Sequence, residues 1–234
     1  MLADDSIDII LTDPPYGHNN NNGDLISNRE KALGRPASIV DASAARPIAN
    51  DGMDDMKAVV DAMLIEAARL LRHDACCCCC CGGGGPRPTF AWLANRMDTA
   101  GLQFFHAVIW DKGGLGMGWH YRRNYELVLV GEKPGAACKW YGGNSIANVV
   151  RVSGIKPTES MHPTPKPVSL VSRFIEWHSE PGDLVLDPFN GGGSTAEAAK
   201  RSGRRYIGIE LDERWLELTV KRLGQEVLDF GGAA

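Results

Sequence analysis

Asp183-Leu184-Val185-Leu186-Asp187-Pro188-Phe189-Asn190-Gly191-Gly192-Gly193-Ser194-Thr195 joins a short apolar run to a glycine-rich turn and then to a helix start. The run has no polar alternation, so it reads as a strand buried on both faces. The helix is expected to open near Ser194 or Thr195 and to end at Gly203. Arg205 to Glu210 reads as the next strand. Glycines in such a turn let the backbone approach a ligand, and the helix N-terminus offers unpaired N–H groups. Glu210 lies 23 positions after Asp187, where an acidic side chain suits the hydroxyls of a ribose. No Lys-Ser or Lys-Thr pair follows the glycines, so the turn is not a phosphate loop, and its spacing is not Gly-x-Gly-x-x-Gly. The plain alternative is a tight turn with a capping Asp.

A second strand end stands near the N-terminus. Asp8-Ile9-Ile10-Leu11-Thr12 reads as a buried strand that stops at Asp13-Pro14-Pro15-Tyr16-Gly17. Two prolines fix the backbone and remove two donors, leaving carbonyls to accept hydrogen bonds. A carboxylate, a proline carbonyl and an aromatic face together suit an amino group on a planar heterocycle. The alternative is an ordinary Pro-Pro turn.

Between these strand ends the pattern alternates strands and helices. A helix is expected from Asp54 or Asp55 to about Arg72, with Val59, Val60, Met63, Ala67, Leu70 and Leu71 inward. A second covers Thr89 to Ala100, with Phe90, Leu93 and Met97 inward, and a third covers Val168 to His178. Phe104 to Trp110 and Tyr125 to Val130 read as strands pairing antiparallel. Asp212 is expected to cap a last helix with Leu216, Val220, Leu223 and Val227 inward. The fold expected is a doubly wound, mostly parallel α/β sheet with one antiparallel hairpin. Residues 17–53 and 131–165 read as long loops within one domain spanning 1–234.

Composition excludes several classes. Apolar residues make up 44% and charged residues 23%, which is ordinary for a globular protein and wrong for a disordered one. No run is long and apolar enough to cross a membrane, and the first residues do not form a secretory leader, so the cytoplasm is the expected location. Cys76 to Cys81 are consecutive and therefore cannot act as a spaced disulfide framework. Cys138 stands apart from them, so no two separated ligand pairs are visible and no metal is expected. The run reads as a buried strand of small thiols. A net charge of −4 argues against nucleic acid at first sight. Residues 112–173, however, hold nine Lys or Arg against three acids, a net +6, and the remainder is −10. A localised, salt-sensitive contact with DNA is therefore compatible with the average.

The two strand ends together carry a resemblance. Asp13-Pro14-Pro15-Tyr16 resembles the catalytic motif of the amino-methylating DNA methyltransferases, which act on adenine N6 or cytosine N4. Asp187-Pro188-Phe189-x-Gly191-x-Gly193 resembles their S-adenosylmethionine (SAM) loop, and Ile207 to Asp212 their ribose-binding strand. His162 to Pro167 resembles the segment ahead of that loop, and Trp110 to Lys112 with Tyr121 to Glu126 a further region of phage and prophage members. The catalytic motif comes first, as in the circularly permuted beta group.

The resemblance implies a SAM-dependent enzyme of Rossmann-like fold that flips a base from double-stranded DNA and methylates its amino nitrogen. Asp13, Pro14, Pro15 and Tyr16 are the implied catalytic residues. Asp187, Pro188, Phe189, Gly191, Gly193, Ser194, Thr195 and Glu210 would hold SAM, with Thr164 and Lys166 near its methionine end. Lys112, Trp119, His120, Tyr121, Arg122, Arg123, Lys139, Trp140 and Arg151 interleave charge and aromatic rings and are the candidates for DNA. Asp at the first motif position favours adenine. No Pro-Cys dipeptide occurs, which argues against methylation of cytosine C5. The loop reads Gly-Gly-Gly-Ser-Thr where the family commonly has Gly-Ser-Gly-Thr-Thr, and the family's segment ahead of the first strand is absent, so one edge strand is expected to be missing. A prophage remnant that binds SAM or DNA without catalysis is the alternative function, and a homodimer is compatible with either reading.

Overall fold

The computed structural model describes residues 2–17, 50–81, 89–115, 120–135, 137–155 and 165–224. Seven strands form one sheet: β1 (Ile7–Thr12), β2 (Leu71–Cys81), β3 (Gln103–Asp111), β4 (Tyr125–Glu132), β5 (Val149–Arg151), β6 (Leu184–Asp187) and β7 (Arg205–Gly208), in the order β5-β3-β4-β2-β1-β6-β7. β1 pairs in parallel with β2 and β6, β6 with β7, and β3 with β5. β4 runs antiparallel to β2 and to β3, so the expected hairpin is present. β7 is one edge strand and β5 the other. β5 falls inside the segment read as irregular, and at three residues it is too short to show a period.

Helices cover both faces. α1 (Met53–Leu70) and α2 (Thr89–Thr99) pack on one face, burying Met56, Val60, Leu64, Leu93 and Met97 against Cys77, Cys79 and Leu129. α3 (Val168–His178) and α4 (Ser194–Arg201) pack on the other, burying Leu170, Phe174, Ala198 and Ala199 against Ile9, Cys76, Cys78 and Val185. The cysteine strand thus presents alternate thiols to alternate faces, as the two-residue period of a strand requires. All six thiols are buried. No described helix is long and apolar enough to cross a membrane.

Four expectations are corrected. α1 stops at Leu70, and β2 begins at Leu71, five residues ahead of the cysteine run. Neither Asp54 nor Asp55 caps α1; Gly52 holds that position, and both acids lie in the first turn. Phe90 is 39% exposed, leaving Leu93 and Met97 as the anchors of α2. In α5 (Glu213–Gly224) the buried residues are Trp215 and Thr219, while Leu216 and Val220 face outward. The Thr219 hydroxyl accepts a hydrogen bond from Asn190 Nδ2 at 2.8 Å, and that polar tie to the glycine turn sets the helix's rotation. Asp212 does cap α5, accepting the Arg214 N–H at 3.1 Å.

Candidate active site

Because β1 and β6 are parallel neighbours, their C-terminal ends bring Asp13 and Asp187 to the same edge of the sheet. The two ends are tied directly: the Thr12 hydroxyl donates to Asp187 Oδ1 at 2.8 Å. This carboxylate also accepts the Phe189 N–H at 3.1 Å. Burial pushes the Asp187 carboxyl up to about 6, against the hydrogen bonds from Thr195 and Thr12.

The glycine turn is built for close packing. Gly193 has φ +77°, and a Cβ there would stand 2.6 Å from Thr219 Oγ1, so no other residue fits. Gly193 is the N-cap of α4, which opens at Ser194 as expected. Glu210 Oε2 accepts the Gly191 N–H at 2.7 Å, and Oε1 accepts the Asp212 N–H at 3.0 Å. A carboxylate has about four lone-pair sites, so both hydrogen bonds leave acceptor capacity for hydroxyl groups. Arg222 donates to the Gly192 carbonyl at 2.9 Å and pairs with Glu197, fixing the turn from behind. Backbone donors at a helix start, a carboxylate beside them and the half-buried Phe189 ring form a donor set that fits a nucleoside-bearing cofactor.

At the other strand end, Asp13, Tyr16 and Lys166 form one cluster. The Tyr16 hydroxyl donates to Asp13 Oδ1. The Lys166 ammonium donates to Asp13 Oδ2 at 2.5 Å and to the Tyr16 hydroxyl oxygen at 2.9 Å, and lies 5.2 Å from the centre of the Tyr16 ring. Its ion pair with Glu126 is 3.5 Å long. Burial pushes the Asp13 carboxyl above its usual range, while Lys166 pulls it down. Burial and the Asp13 charge push the Tyr16 phenol well up. Burial would lower the Lys166 ammonium, but Asp13 and Glu126 hold it above the ordinary lysine value. Burial would likewise raise Glu126, yet Lys166 and Lys112 hold it below the carboxylate range.

Two residues outside the candidate list, Asp51 and Glu126, also build the site. Asp51, itself buried, accepts the backbone N–H groups of Tyr16 and Gly17 at 3.1 and 2.9 Å and holds the Asp-Pro-Pro-Tyr turn in shape. Gly17 adopts φ +72° there. Glu126 pairs with both Lys112 and Lys166. Lys166, a candidate for the methionine end of a cofactor, contacts Asp13, Tyr16 and Glu126. Thr164 and Trp119 lie outside the described residues.

The candidates for DNA divide between two ends of the sheet. Asp111 and Tyr125 face each other at the site end of the β3–β4 pair, and Arg151 adjoins Asp111 from β5. Lys112, His120, Tyr121, Arg122 and Arg123 follow or precede these residues, and Tyr121 is 98% exposed. Arg151 Nη2 pairs with Asp111 at 2.8 Å, and Lys112 lies over the Trp110 ring at 4.7 Å. Lys139 is elsewhere. Its ammonium stands 3.8 Å from each of Asp8, Asp74 and Asp183, which lie at or near the starts of β1, β2 and β6. Trp140 packs there too, 5.3 Å from the His178 ring. The structure does not bring these two residues to the site.

A seven-stranded sheet with a nucleoside cradle and an acidic Pro-Pro-Tyr turn on neighbouring strand ends defines the Rossmann-like methyltransferase class. The chain belongs to the DNA methylase family with N6 and N4 members, whose model matches residues 7–221. It is 30% identical over 239 aligned positions to YubD of Escherichia coli (strain K12), a methylase by name, covering 97% of this chain and 87% of that one. Among solved structures, the M1.HpyAVI–SAM complex superposes with a TM-score of 0.67 at 22% identity, covering 94% of this chain and 90% of that one. The cytosine-N4-specific PvuII DNA methyltransferase superposes with a TM-score of 0.70 at 16% identity, covering 97% and 83%. These likenesses carry the fold.

Proposed function

We propose that the protein transfers a methyl group from SAM to the exocyclic amino nitrogen of a base in double-stranded DNA, with adenine N6 as the target. The observation that carries this reading is the hydrogen bond between Thr12 and Asp187, because it joins the base-acceptor turn to the cofactor cradle. When bound, SAM supplies an electrophilic methyl group. Glu210 would accept from the ribose hydroxyls, and the Phe189 ring would pack against the rest of the nucleoside. The base reaches this edge only when turned out of the duplex. The Tyr16 ring stacks on it, while Asp13 and the Pro14 carbonyl accept its amino hydrogens. That geometry aims the nitrogen lone pair at the methyl carbon. Bound SAM would supply the methyl group and leave as the thioether, and the Asp13 carboxylate is the adjoining acceptor for the proton that the amino nitrogen would lose. Positioning and a fixed electrostatic field do most of this work, and no covalent nucleophile takes part.

Asp13 is bonded to Tyr16 and Lys166 before any base arrives. Base entry therefore exchanges the Tyr16 hydroxyl for the amino group, and Lys166 stays to keep the buried carboxylate charged. For the duplex, exposed Tyr121, Arg122 and Arg123 with Lys112, His120 and Arg151 form the contact surface. Lys139 and Trp140 are left out of it. Asp13, rather than Ser, supports adenine over cytosine. Incubation with methyl-labelled SAM and mixed-sequence DNA tests the reading. The parent is expected to label DNA, and Asp13→Ala to lose at least about 100-fold of the rate. No labelled DNA from the parent sinks the enzymatic reading, and equal labelling by the variant sinks the role of Asp13.

A further inference from the structure

The end of the sheet away from the active site holds a second cluster of chemically active side chains. Cys76 and Cys78 are two apart on β2 and point to the same face, where their sulfurs stand 3.7 Å apart. His178, at the end of α3, brings a ring nitrogen to them, and the three ligand atoms lie within 4.8 Å of one another. All three residues are buried. Cys138, from the segment after β4, lies beside Cys76 and His178 but outside the group whose ligand atoms are all within 4.8 Å. We propose that Cys76, Cys78 and His178 bind a zinc-type divalent cation, with the Cys138 thiol closing in to complete a tetrahedral site.

The dimensions suit that ion. Zinc–sulfur bonds of about 2.3 Å place two tetrahedral sulfurs about 3.8 Å apart, close to the separation already present. Three thiolates and one imidazole are a recurrent structural zinc set, and their softness selects against calcium or magnesium. The histidine is oriented as a ligand should be. Its Nδ1 is 3.1 Å from the Lys139 carbonyl, which can only accept, so Nδ1 carries the proton and Nε2 is the basic nitrogen. The segment carrying Cys138 is pinned in turn: Glu132 accepts the Cys138 N–H at 3.1 Å, and the Asp74 carbonyl accepts the Lys139 N–H at 2.8 Å. The opposite face of β2 provides an internal contrast. Cys77 and Cys79 approach to 3.5 Å there, but among the described residues no histidine or acid joins them in a ligand group. Binding exchanges thiol protons for the metal and ties β2, the segment after β4 and α3 together, with no change at the active site.

The test uses the full chain, purified under reducing conditions without chelator from zinc-supplemented medium. Elemental analysis is expected to find about one zinc per chain. The metal-free protein titrated with cobalt(II) is expected to show the visible bands of a tetrahedral thiolate complex. Cys138→Ser, at a half-buried position, is expected to weaken cobalt binding more than tenfold (about the least a lost ligand costs). Cys77→Ser is expected to leave it unchanged. Three results overturn the proposal: a parent that carries no zinc and gives no tetrahedral cobalt spectrum, a Cys138→Ser variant that binds as the parent does, or a metal-free chain two mass units light through a disulfide.

Discussion

The two ends of the sheet carry polar clusters of opposite character. At the C-terminal ends of β1 and β6, Asp13 and Tyr16 share hydrogen bonds with the Lys166 ammonium, which Glu126 faces as an ion pair, next to the glycine turn. At the starts of those strands, Lys139 stands among three carboxylates, and the thiols and His178 lie just inside. One end keeps acceptors within reach of a ligand that must enter and leave. The other surrounds its cation with acids and seals its nucleophiles in the core. Charge counted along the chain cannot separate these roles. Lys139 belongs to the most basic segment, yet the fold delivers it to the acidic end.

Removing Lys166 should break the contrast most severely. Asp13 is raised by burial and pulled down chiefly by Lys166, so Lys166→Met leaves burial opposed only by the Tyr16 hydrogen bond. The carboxyl then stays protonated to higher pH. The acid limb of the kcat profile is expected to move to higher pH, with kcat at neutral pH down about 100-fold, the size of a lost preorganised charge. An unshifted limb would show that Lys166 does not act on Asp13. Glu210→Ala comes next. Loss of its hydrogen bonds to a cofactor is expected to raise the SAM Kd about 10–100-fold by calorimetry, since bonds to charged groups contribute about 1.5–3 kcal/mol. The smallest effects compare the two ends directly. Arg123→Ala is expected to weaken duplex binding a few-fold and to lower the salt slope by about one, whereas Lys139→Ala leaves both unchanged. Equal losses would place DNA at both ends.

Those residues also mark how far the sequence could be read. The run from Asp183 to Thr195 was legible because strand, turn and helix are contiguous there, and the helix opens at Ser194 as expected. The extent of α3 was legible for the same reason, through its strong apolar stripe. What failed depends on partners far apart in the chain. Asp51 holds a turn 34 positions earlier. Lys166 reaches Asp13 across 153 positions. His178 is an unremarked helix end until folding sets it against Cys76 and Cys78. α5 misled for a different reason. Its apolar spacing favours Leu216 and Val220, but a hydroxyl–amide bond from Thr219 turns the other side inward. Polar packing of that kind leaves no hydrophobic period to read.

A base-acceptor turn and a SAM cradle on adjacent strand ends should perform one transfer. Mass spectrometry of the nucleosides released from duplex DNA after incubation with the parent protein and isotopically labelled SAM checks this. Labelled N6-methyladenine is the expected product. Labelled N4-methylcytosine would contradict the choice of base, and the absence of any labelled amino-methylated nucleoside would contradict the site itself.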